Sequence, residues 1–137
     1  MTESLQPFPM PASVPPGMRL ELSRARVLPG QEDVAREWLA VLNRRQDECI
    51  ATLSAERSAF EAWFLHADGD GVTWIYWVGL TGDGGAPSDP DSDLDREHAA
   101  WLRKVKEPGW EELEPAFMLT PDHIRAAFET WGATGRA

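Results

Sequence analysis

His98 is the residue whose setting points most directly to chemistry. Leu94, His98, Trp101, Leu102 and Val105 recur at helical spacing, so on a helix the imidazole shares a face with apolar neighbours and is half-buried. Burial and a paired carboxylate are what move an imidazole pKa toward working pH. Two other groups complete a candidate catalytic trio. Glu61 sits in AFEAWFLH with Ala59 and Trp63 on its own strand face, and Tyr76 sits in VTWIYWVGL on the same face as Trp74. If Glu61, Tyr76 and His98 converge, a carboxylate, a phenol and an imidazole face one another and proton transfer becomes available to them. The plainer reading is that His98 is a core histidine, with Glu61 orienting it or lying at a subunit seam. Trp74, Trp101 and Trp63 are the aromatic residues expected to line a ligand site. Arg45, in the stripe of Val34, Trp38, Val41 and Cys49, either reaches the ligand or extends past the sheet edge. Alternation separates Trp74 from Trp77 without saying which one faces the helices.

No metal site is expected. Asp89, Asp91, Asp93 and Asp95 resemble a calcium loop, but the sixth position is Leu94 instead of glycine and the twelfth is Ala100 instead of glutamate. Those acids read instead as a solvated loop and as partners of a helix N-terminus. The one cysteine, Cys49, has no partner for a disulfide or a zinc pair and reads as a small buried filler in a cytoplasmic protein. Nothing implies a cofactor. With 13 Lys plus Arg against 23 Asp plus Glu, the net charge of -10 repels nucleic acid and anionic membrane surfaces, so neither is an expected partner.

The elements that must position these residues follow from periodicity. Residues 1–17 are proline-rich and read as a disordered tail, with Met18 a candidate natural start; residues 18–137 read as one domain. MRLELSRARV is a first strand. Gln31 to about Glu56, free of proline and glycine, is one long amphipathic helix. AFEAWFLH and VTWIYWVGL around DGDG form a hairpin. A second helix runs from about Leu94 to Lys106 with Ser92 as a candidate cap, residues 112–119 make a last strand, and Thr120 with Pro121 opens a terminal helix.

The order βαββαβ with an extra C-terminal helix is an α+β, ferredoxin-like arrangement with a four-stranded antiparallel sheet. It places the first and third strands centrally and the second and fourth at the edges, where Pro115 is tolerated. VTWIYWVGL is then central and apolar on both faces. Helices cover one face, and the other calls for a second copy of the sheet, hence a homodimer through that face.

MRLELSRARVLPGQEDVAREWLAVLN, TWIYWVGL and DREHAAWL together resemble a domain-of-unknown-function family of small bacterial proteins in the dimeric α/β-barrel superfamily. The resemblance implies a ferredoxin-like monomer, sheet against sheet in the dimer, and a ligand cavity between helices and sheet. It implies no activity. Within the wider superfamily, LEPAFML and the tryptophan-rich second helix look similar to rhamnose mutarotase, but the histidine that family carries on its first helix has no counterpart here. Haem-degrading members use an asparagine on the first strand, and this strand has none. The expectation is therefore a small-molecule-binding protein with a Trp-rich pocket. The alternatives are a cofactor-free monooxygenase or isomerase/mutarotase-like enzyme, and a structural homodimer without ligand.

Overall fold

Aromatic and β-branched residues dominate the hairpin, and it forms where Asp68 can hold the turn. Its carboxylate accepts from the backbone amides of Asp70 and Val72 at 2.8 and 3.1 Å, and Gly71 takes φ +79°. The computed structural model describes residues 8–137. The strands are β1 (Met18–Arg26), β2 (Ser58–Ala67), β3 (Thr73–Gly82) and β4 (Glu111–Leu113). They join in the order β2-β3-β1-β4, and every pair is antiparallel. The first and third strands are thus central and the second and fourth are edges.

The helices are α1 (Glu32–Arg44), α2 (Gln46–Glu56), α3 (Asp93–Val105) and α4 (Asp122–Thr134). Ser92 caps α3 by accepting from the Asp95 amide at 3.2 Å, as its sequence suggests. Among the described residues, no helix is long and apolar enough to cross a membrane.

Two elements differ from expectation. The long first helix is broken at Arg45, whose φ of -104° and ψ of 33° leave the helical region, so α1 packs on α3 while α2 turns onto β2. No proline or glycine marks this break. The guanidinium spans it, pairing with Glu48 on α2 and Glu97 on α3, each at 2.8 Å. The last strand is also short: pairing with β1 covers only Glu111, Glu112 and Leu113, and the chain leaves the ladder two residues before Pro115, whose nitrogen cannot donate.

Two clusters form the core. Above the sheet, Ala25, Val27 and Ile75 pack against Ala35 of α1 and against Trp101 and Val105 of α3. Below one end of it, Val14, Met18 and Leu80 pack with Met10, Leu20, Met118 and Phe128. The second cluster includes part of the segment expected as a disordered tail, within residues 8–17. Residues 1–7 lie outside the described residues, but Val14 and Pro15 are buried and the Met18 amide donates to the Pro15 carbonyl at 3.1 Å. Proline content alone suggests disorder; the apolar surface at Leu20 and Leu80 supplies a partner that composition cannot reveal. α4 closes the same end at close range, since a Cβ on Gly82 would lie 2.1 Å from the Gly132 carbonyl oxygen.

Removing residues 1–16 should therefore lower the unfolding free energy by about 2 kcal/mol, the scale for exposing one or two buried aliphatic side chains. Urea denaturation of the truncated and full chains measures it; coincident midpoints would show that the segment contributes nothing.

Candidate functional site

Pleating fixes which residues of β3 look toward the helices. Thr73, Ile75, Trp77 and Gly79 lie on that side, with Ile75 in the core beneath α1 and α3. Trp74, Tyr76, Val78 and Leu80 lie on the other. Trp77 is therefore the tryptophan of the helix side. Its ring lies flat over Gly79, where a Cβ would come within 2.7 Å of the indole, and its Nε1 donates to Glu61 Oε2 at 2.9 Å.

A cavity of about 190 Å³ opens where α2 and α3 meet β2. Cys49, Thr52 and Glu56 face it from α2, Glu61 and Trp63 from β2, and Asp95 and His98 from α3. A wider cleft of about 420 Å³ shares Cys49, Glu61 and Trp63 and opens past Leu39 and Ile50. A third hollow shares Glu56 and Glu61, with Trp77 in its wall. Glu61 thus stands where three concavities meet.

His98 sits inside an aromatic cage. Trp101 stacks on it at 5.5 Å and Trp63 meets it edge-on at 5.2 Å. Trp38 on α1 donates its indole N–H to His98 Nδ1 at 3.0 Å. An indole nitrogen can only donate, so Nδ1 is the acceptor and the neutral ring carries its proton on Nε2. Burial lowers the His98 pKa, with Asp95 acting in the opposite sense. The arrangement is a neutral imidazole whose second nitrogen is a donor.

The acids around it behave differently. Burial raises the Glu56 pKa, Thr52 opposes by donating to its carboxylate at 3.0 Å, and the charges of Glu61 and Asp95 add to the rise. Burial, then Glu61, raises the Cys49 thiol, which keeps it protonated and a poor nucleophile. Asp95 Oδ2 accepts from the Asp89 amide at 2.6 Å, so part of the acidic loop ties itself to the helix start. Among the described residues, no three His, Cys, Asp or Glu side chains come together as a metal site.

The candidate trio is brought together in part. His98 and Glu61 line one cavity, but Tyr76 is on the opposite sheet face, where its hydroxyl accepts from Arg24 at 3.4 Å. Trp74 shares that face. It donates to Asp68 at 2.9 Å and lies under the Arg24 guanidinium at 4.0 Å, so it cannot line this cavity. Of the other expected lining residues, Trp63 is in the wall, and Trp101 is a core residue that backs His98 without reaching the cavity. Arg45 is outside, held by Glu48 and Glu97.

The sequence left the choice between Trp74 and Trp77 open, and it gave no site role to Trp38, Cys49, Thr52 and Glu56. The last three are spaced to share a helix face, a signal obscured by treating Gln31–Glu56 as one continuous stripe.

A histidine that is neutral when folded and free to protonate when unfolded makes stability depend on pH in one direction. The unfolded chain binds the extra proton below its pKa of about 6.5, so the unfolding free energy is complete above that pH and declines as the pH falls through it. His98→Asn retains an oxygen that can accept from Trp38 but cannot titrate. Denaturation midpoints measured from about pH 7.5 to pH 5 should fall for the native chain and flatten for His98→Asn; parallel curves would remove His98 as the cause.

No curated protein matches the chain. Its sequence from residue 18 to residue 126 matches DUF6176, a family of unknown function, and the chain belongs to that family.

Proposed function

We propose that this chain is a cytoplasmic, dimeric α/β-barrel protein of ferredoxin-like topology that binds a small molecule in the cavity between its helices and its sheet. The observation that carries this reading is the convergence of His98, Glu61 and Trp63 on one concavity while Trp38 occupies His98 Nδ1. An imidazole held on one nitrogen presents the other as an oriented donor, and an indole edge supplies flat apolar surface. Seven tryptophans make the site readable by fluorescence. Titration with a panel of aromatic compounds and sugars should give saturable quenching for at least one member. His98→Ala should weaken that binding at least about tenfold, the effect of losing one well-placed hydrogen bond in a cavity. No quenching across the panel would leave the structural homodimer as the better reading.

Dimerisation is supported by the second sheet face. Phe60 and Phe64 of the edge strand β2 stand beside Leu80 and Tyr76 there and are 39% and 57% exposed, an apolar area that a partner would cover. A two-fold partner offering the same face would cover them. Light scattering at micromolar concentration should give twice the 15.3 kDa chain mass; a monomer would defeat the proposal. An isomerase-type activity is favoured by one observation, the shared cavity of Glu61 and His98, which would let a carboxylate and an imidazole act on one ligand. Tyr76 has no part in it.

A further inference from the structure

We propose that the ligand this cavity takes is an organic ammonium ion: a protonated amine on an apolar body. The inference rests on the small-molecule reading above and names the ligand's chemical class.

The cavity is walled chiefly by apolar and aromatic surface, with Trp63 and Leu102 among its sides, yet it holds no Lys or Arg, and three of its lining side chains are carboxyls: Glu56, Glu61 and Asp95. Each has one oxygen engaged by a neutral donor. The Thr52 hydroxyl is shared between Glu56 and the Cys49 carbonyl, the Trp77 indole holds Glu61, and the Asp89 amide holds Asp95. None of the three is ion-paired among the described residues. Arg45, whose charge is felt at Cys49 in the cavity wall, is committed to Glu48 and Glu97.

Three carboxylates oriented from three elements and left without a cation create a negative potential that an apolar wall concentrates. Carboxylates facing one cavity repel one another, as the effect of Glu61 and Asp95 on Glu56 shows, and a positive group entering between them offsets that cost. An ammonium ion relieves that repulsion and makes charge-assisted hydrogen bonds to the free oxygens, and Trp63 offers it an aromatic ring as well. A carboxylate or phosphate ligand would meet the same field with the wrong sign. His98, neutral and donating from Nε2, adds no opposing charge and can serve a hydroxyl or carbonyl oxygen on the same molecule.

Isothermal titration with a matched series tests this on the full chain at neutral pH, using phenethylamine, phenethyl alcohol and phenylacetate. These share a ring and a two- or one-carbon arm and differ in charge. Phenethylamine should bind about tenfold or more tightly than either of the others, the scale of one charge-assisted hydrogen bond. Glu61→Gln and Glu56→Gln, which keep an oxygen for Trp77 and Thr52 respectively, should each remove most of that preference, with the amine losing more affinity than the alcohol. Equal or tighter binding of phenethyl alcohol or phenylacetate would overturn the ammonium inference and leave the small-molecule reading standing. Undiminished amine binding by both variants would overturn the inference in the same way. Failure of all three compounds to bind would overturn it too, and combined with a silent quenching panel would remove the small-molecule reading itself.

Discussion

The hydrogen bond from Trp38 to His98 joins α1 to α3 above the sheet, and much of the site follows from it. It selects the tautomer of the imidazole and holds the ring between Trp63 and Trp101. It also makes a charged histidine unfavourable there, because a proton on Nδ1 would confront the indole N–H. Burial acts in the same direction. The histidine thereby contributes a donor to the wall of a cavity that also holds the carboxyls of Glu56, Glu61 and Asp95. Moving Trp38 by one helical position would turn its nitrogen away and release all three constraints.

The second organising feature is the division made by β3. Its helix-side residues include the smallest and the largest possible neighbours, Gly79 and Trp77, and the missing Cβ of the first lets the ring of the second lie along the sheet. That posture brings the indole nitrogen to Glu61 and fixes one carboxylate oxygen. On the opposite side, Leu80 is covered by the N-terminal segment and α4, whereas Tyr76 stands among Arg24, Phe64 and Trp74. One strand thus carries Trp77 on the helix side and a second apolar surface on the other, and pleating prevents any residue from serving both.

Much of the fold was legible because local rules bear on it directly. The hairpin turn, the Ser92 cap, the central placing of β1 and β3 and the terminal helix all rest on turn chemistry, capping and periodicity. The misreadings have one origin. The helix break at Arg45 carries no proline or glycine, and it accompanies a change of packing partner from α3 to β2. Residues 8–17 look unstructured by composition, yet Val14 is buried because Leu80 lies beneath it. Trp74 and Tyr76 have the residue types a pocket needs, but they sit on the far face. In each case the deciding partner is distant in the sequence.

The sequence by itself determined which side chains travel together. Trp74 goes with Tyr76, Trp77 with Ile75, and His98 with Leu94 and Trp101, since strand and helix periods are set by backbone dihedrals close at hand. Only the tertiary structure decided which group faces the cavity. Both faces of β3 are apolar, so hydrophobicity could not choose between them, and the choice was made by where α1 and α3 dock. That docking buries Ile75 and brings Glu61 of β2 into the same cavity as His98 of α3.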